Sequence, residues 1–250
     1  MISSKTKMNT SVFIFCICCL FYITPGQSQN EDNQGIKDQD WPNLKRYEKQ
    51  NEEIINLKKF PKAVFMGNSI TEGWRNTDPD FFRDNNFEGR GISGQTTPQM
   101  LLRFTQDVID LRPEVVVILA GTNDLAGNTG FSTVKMITDN IKAMAQLAVA
   151  NDIKVILSSI LPVYSYPWRK DLKPVSTIRE INTWLENYAL QNGHVYLDYF
   201  SVMADEKKGL KIEYSGDGVH PNEKGYEVMK PMVLNAVNML IPTDHTLKNR

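Results

Sequence analysis

Short, unbroken apolar runs recur along this chain with amphipathic stretches between them, and that alternation limits the folds open to it. Residues 63–66, 115–119, 153–157 and 195–197 are built mainly from Val, Ile, Leu and other apolar residues, without polar residues at every second position. A strand covered on both faces reads this way, whereas a strand wet on one face alternates. Residues 86–89 are a weaker fifth candidate. The intervening stretches carry helix signals. Leu44, Tyr47, Ile54 and Leu57 predict a helix within 41–57. Thr97-Pro98 predicts a cap followed by Pro at the first helical position. Ser132 opens a stripe of Val134, Ile137, Ile141, Met144 and Ala148, and Thr177 with Glu180 has capping-box spacing. Asn222 starts a last helix carrying Tyr226, Met229, Val233, Ala236 and Leu240, which Pro231 should kink. Strand and helix in alternation predict a three-layer α/β/α sandwich with a five-stranded parallel sheet.

The N-terminus reads as an export signal, residues 1–28. Lys5 and Lys7 give a basic start, residues 12–23 an apolar core, and Gly26-Gln27-Ser28 a small-x-small cleavage site. Twelve apolar residues fall short of the roughly 20 that span a bilayer, so no stable membrane insertion is expected. Lipidation at Cys19 would want a small residue before it, where Cys18 stands. Cleavage near Ser28 implies a secreted or periplasmic protein. Cys16, Cys18 and Cys19 all lie in this segment, so the chain from residue 29 onward has no thiol for a disulfide, a metal or a nucleophile. Residues 29–40 are polar and have little to bury, and are expected to be a disordered leader. Residues 41–250 then make a single domain with an ample core. Loss of Lys5 and Lys7 takes the formal charge from −1 to −3, and a mildly acidic chain without basic clusters argues against nucleic acid as a partner.

Ligands of parallel sheets bind outside the carboxyl ends of the strands. Four segments point there. Gly67-Asn68-Ser69 follows the first apolar run, Gly91-Ile92-Ser93-Gly94 the weak one, and Gly121-Thr122-Asn123-Asp124 the run 115–119; Asp217-Gly218-Val219-His220 precedes the last helix. A hydroxyl attacks only when a base takes its proton, and an imidazole is a good base when a carboxylate fixes its tautomer. Of the three histidines, His194 flanks a strand and His245 lies in a polar tail, which leaves His220. Ser69 is the candidate nucleophile and Asp217 the candidate orienting carboxylate; Gly94 and Asn123 could donate to an oxyanion. Each feature has a plainer reading: Ser69 as a helix cap, Gly94 as a turn glycine, Asn123 as an Asx-turn. Asp124 reads as an acceptor for local backbone. Asp217 and His220 lack the further ligands a metal site would need. Gly89–Gly94 formally matches a dinucleotide fingerprint, but the next strand ends without the acidic residue that would hold a ribose. No metal and no cofactor is expected.

Together these four blocks resemble the SGNH (GDSL-like) hydrolase family over roughly residues 60–240. The resemblance implies a flavodoxin-like α/β/α fold, with Ser69 as nucleophile, His220 as base and Asp217 as its orienter. It also implies an oxyanion hole of the Ser69 N–H, the Gly94 N–H and the Asn123 side chain. Asn68 departs from the Asp of the family's name; the position is outside the triad, so only local loop geometry is affected.

The expected activity is that of a serine esterase working on a small-molecule or glycan ester. Trp74, Tyr164, Tyr166, Trp168 and Arg169 are the candidate substrate contacts, because aromatic faces beside a shallow site suit sugar rings. This favours removal of short acyl groups, acetyl in particular, from carbohydrates. A lysophospholipase or thioesterase is the alternative within the family, and a glycan-binding module without chemistry is the alternative outside it.

Overall fold

The computed structural model describes residues 40–241. The export segment with its three cysteines, nearly all of the polar leader, and His245 lie outside the described residues.

Five strands form one parallel sheet: β1 Ala63–Gly67, β2 Phe87–Gly91, β3 Val115–Leu119, β4 Lys154–Ser158 and β5 Val195–Leu197, in the order β2-β1-β3-β4-β5. Successive side chains of a strand point to opposite faces, and the core divides accordingly. Val64, Met66, Val116, Ile118, Val155 and Leu157 face one layer. That layer contains α4 Thr97–Phe104, α6 Val134–Val149 and α7 Val175–Asn192. Ala63, Phe65, Val115, Val117, Leu119 and Ile156 face the other. There pack α2 Ser69–Thr77, α3 Pro79–Asp84, α8 Tyr199–Met203 and α9 Glu223–Leu240. The expected three-layer sandwich is the one observed. Two further helices are α1 Glu48–Leu57 and the short α5 Thr122–Leu125.

Local signals set the boundaries, with differences of detail. The N-terminal helical stretch is a 3₁₀ turn, Leu44–Arg46, followed by α1. Thr96, not Thr97, caps α4, forming a reciprocal capping box with Gln99. Thr133, not Ser132, caps α6 by accepting from the Met136 N–H. Thr177 and Glu180 form no cap, because α7 has already begun at Val175 after Pro174. Asn222 caps α9 by accepting from Gly225, and α9 runs on through Pro231.

The chain leaves β1 for β2 on one side and returns to β3 on the other side of β1. In parallel sheets such a reversal marks the carboxyl edge at which ligands bind. Among the described residues no helix is long and apolar enough to cross a membrane.

Candidate active site

β1 delivers Ser69. After Gly67, Asn68 takes the N-cap position and its side-chain oxygen accepts from the Ile70 N–H at 3.0 Å. Ser69 is therefore the first residue of α2 and not its cap, so its hydroxyl is free for another partner. Asn68, the departure from the family's Asp, does the capping that an Asp would also do. α2 lies directly on the end of β2: a side chain at Gly91 would stand 2.2 Å from the Glu72 nitrogen and 2.6 Å from the Asn68 oxygen. Only glycine permits that approach.

His220 comes from the loop before α9. Its Nε2 lies 2.9 Å from Ser69 Oγ, and its Nδ1 lies 2.7 Å from Asp217 Oδ2. The other oxygen of Asp217 accepts from the backbone N–H groups of Val219 at 2.9 Å and His220 at 2.8 Å. Ser215 Oγ donates to the same oxygen at 3.1 Å and accepts from the Gly218 N–H at 2.9 Å. Desolvation alone would raise the Asp217 carboxyl, but the hydrogen bonds from the His220 ring and the backbone outweigh it and hold the group at about 2. A carboxylate so acidic can only accept. Nδ1 must then carry the ring proton, which leaves the Nε2 lone pair directed at Ser69.

Two more segments end at the same carboxyl edge of the sheet as Ser69. Gly94, at the end of the β2 loop, has φ +79°, a conformation that favours glycine. Asn123, in α5 just beyond β3, gives one N–H of its carboxamide to the Gln95 carbonyl at 2.9 Å, leaving a second donor. Asp124 is buried and accepts from the Thr97 N–H and, at 2.6 Å, from the Thr97 hydroxyl. Its burial raises the carboxyl to about 6 against the opposing pull of the Thr97 bonds. It ties α5 to the start of α4, accepting from a residue 27 positions away where local backbone is the partner expected from sequence. Glu72 of α2 accepts from both the N–H and hydroxyl of Ser93 and pairs with Arg46 at 2.9 Å. This clamp joins the helix that begins with Ser69 to the Gly94 loop.

The candidate substrate contacts separate into three groups. Trp74 is 2% exposed. It stacks on Phe81 at 5.3 Å and Tyr226 at 5.5 Å, so it is core and not a binding face. Tyr166 is 0% exposed, with its hydroxyl on Thr122, and is likewise withdrawn from solvent. Arg169 is occupied structurally: its guanidinium holds the Asp171 carboxylate with Nε and Nη2 and the Ala126 carbonyl with Nη1. Trp168 and Tyr164 are 48% and 52% exposed. Trp168 lies beside the site, its ring centre 6.3 Å from that of His220.

Sequence reasoning missed Glu72, Gln95, Arg103 and Asp107. A signal for the last two was available. Met100, Phe104, Val108 and Leu111 trace a buried stripe, and Arg103 and Asp107 fall within it four residues apart. Charges so placed must find partners inside. Among the described residues no group of three or more His, Cys, Asp or Glu side chains could hold a metal ion.

The model of the GDSL-like lipase/acylhydrolase family matches residues 65–228. A GDSL-like lipase from Bacteroides thetaiotaomicron VPI-5482 is 47% identical with a TM-score of 0.76, over 79% of this chain and 98% of that one. A protein assigned as an acylhydrolase from Bacteroides fragilis NCTC 9343 is 45% identical, also at TM-score 0.76, over 81% of this chain and 99% of that one. An acetyl xylan esterase, AlAXEase, shares the fold at 19% identity and TM-score 0.59, over 70% of this chain and 98% of that one. No match is found among curated proteins. The chain belongs to the GDSL-like lipase/acylhydrolase family and is a carboxylic ester hydrolase.

Proposed function

We propose that Ser69, His220 and Asp217 are the catalytic triad of an acetyl esterase acting on carbohydrates. One observation carries the triad: the unbroken relay from Ser69 Oγ through both ring nitrogens of His220 to Asp217, at 2.9 and 2.7 Å. His220 takes the Ser69 proton as the hydroxyl attacks the ester carbonyl. The oxyanion of the tetrahedral intermediate is met by the N–H groups of Ser69 and Gly94 and the free amide donor of Asn123. The positive N-terminal end of α2 adds to the same stabilisation. His220 then protonates the departing alcohol, and water, activated by the same imidazole, releases the acid from the acyl-enzyme.

The carbohydrate reading rests on Trp168. A half-exposed indole beside the base offers a flat apolar face where a sugar bearing the scissile ester would lie, and exposed Tyr164 belongs to the same loop. An acetyl xylan esterase shares the fold, which supports this reading. Export through residues 1–28 would bring the enzyme to such polymers, and the mass of the mature chain would read the cleavage directly.

The test compares kcat/KM on acetylated xylo-oligosaccharides with that on p-nitrophenyl esters of two to twelve carbons. Acetylated sugars and the acetate ester should lead. A rising preference for long acyl chains would move the assignment to a lipase or lysophospholipase.

A further inference from the structure

Arg103 is fully buried in α4, and its guanidinium serves three separate acceptors. Nε donates to Gln95 Oε1 at 2.6 Å, Nη1 to Asp107 Oδ2 at 2.9 Å, and Nη2 to the Gly67 carbonyl at 2.9 Å. Two of these acceptors belong to different walls of the site. Gly67 is the last residue of β1, two before Ser69; Gln95 follows Gly94 directly. The Gln95 carbonyl is the acceptor that orients the Asn123 carboxamide. Gln95 is itself buried, and its amide nitrogen reaches the Pro42 carbonyl at 2.7 Å. Asp107, the counter-ion, is in turn held by Asn51 at 2.7 Å. A rigid planar fork therefore spans from the nucleophile's strand to the residue that aims the oxyanion donor.

We propose that Arg103 is the positioning residue that aims Asn123 at the oxyanion, acting through Gln95. It touches no substrate and no reacting atom, and the assignment rests on the triad and oxyanion hole proposed above. A donor contributes to the transition state only when held at hydrogen-bond distance from where charge develops. If the Gln95 loop shifts relative to Gly67, the carboxamide follows its acceptor. Lysine at 103 would keep the charge beside Asp107, but a single ammonium lacks the planar fork that reaches Gln95 and Gly67 together.

The experiment is a double-mutant cycle on p-nitrophenyl acetate with wild type, Arg103→Lys, Asn123→Ala and the double variant, each checked for folding by circular dichroism. Arg103→Lys should lower kcat about 10- to 100-fold, the scale of a misplacement near 1 Å, with KM changed less than about 3-fold. In the Asn123→Ala background the same substitution should cost less than about 3-fold, because the group it positions is gone. A kcat within about 3-fold of wild type in the single variant would overturn the proposal, as would an undiminished loss in the double variant. Should Arg103→Lys fail to fold, Gln95→Met takes its place in the cycle. That variant removes the acceptor of Arg103 and keeps the carbonyl facing Asn123, and the same two outcomes decide. Wild-type turnover that is abolished in Ser69→Ala establishes the underlying triad separately, so failure of the cycle and failure of the triad are told apart.

Discussion

The Tyr226 hydroxyl donates to the Ile70 carbonyl at 2.9 Å, and this bond ties α9 to the helix that begins with Ser69. The tie matters because Ser69 and His220 are 151 residues apart yet within hydrogen-bond reach. The loop carrying His220 is closed on itself by a backbone pairing of Ser215 with Pro221 and a bond from the Asn222 N–H to the Tyr214 carbonyl at 2.8 Å. A loop at the head of α9, docked against α2, brings the His220 ring and the Ser69 hydroxyl within hydrogen-bond reach without any ligand.

Replacing Asp217 with Asn should leave the loop in place and remove the acceptor that selects the His220 tautomer. The expected loss in kcat is about 10²- to 10⁴-fold at neutral pH. The wild-type carboxyl titrates at about 2, below its ordinary 3.8. Its support of the fold is thus complete above 3.8 and lost as pH falls through about 2. Steady-state kinetics on an acetate ester, with melting curves of the two chains between pH 2 and 5, read both effects.

Asn123→Ala should lower kcat by roughly 100- to 1000-fold with KM little changed, the usual result of losing one oxyanion donor. A kcat near wild type would remove Asn123 from the oxyanion hole.

Asp124 provides a pH signature of opposite sign. Its carboxyl, held at about 6 by burial, binds its proton more tightly in the folded chain than in the unfolded one. Between 3.8 and about 6 the native state therefore carries the extra proton, and stability falls as pH rises through that window. Asp124→Asn should flatten this slope in denaturant titrations. Asp124→Ala, which strands the Thr97 N–H, should cost about 1–3 kcal/mol.

Two tryptophans should behave differently. Trp74→Ala opens the aromatic cluster between the sheet and α9 and should cost about 3–5 kcal/mol of stability. Trp168→Ala should raise KM for an acetylated oligosaccharide about 5- to 10-fold, the loss of one stacking face, with little change in melting temperature. Melting curves and KM values for both variants separate core from binding face.

The layers and four of the strands were legible because β1, β3, β4 and β5 are apolar runs that must be buried. β2 was faint because Glu88 and Arg90 interrupt it. The structure accommodates them at the sheet edge, where Arg90 pairs with Glu88 at 2.9 Å and reaches Asn51 of α1. Caps were missed by one residue where two hydroxyl residues adjoin, as at Thr96-Thr97 and Ser132-Thr133, since composition cannot say which one turns out of the helix. Trp74 lies five residues after Ser69 in sequence, but that nearness does not make it a substrate contact. Helical spacing already put it on the face of Ile70, four residues earlier, which points to the core. Tyr166 depends on a partner 44 residues away, Thr122, and nothing local announces that contact. The supporting network of Gln95, Arg103 and Asp107 has the same character: its bonds are long-range, and only the charged pair inside an apolar stripe hints at it.

Treatment of the purified chain with a fluorophosphonate, followed by peptide mass spectrometry, identifies the nucleophile. A single adduct is expected on the peptide containing Ser69, absent in Ser69→Ala and strongly slowed in His220→Ala. An adduct on another residue, or ester turnover that survives Ser69→Ala, would contradict the assignment of Ser69 as nucleophile.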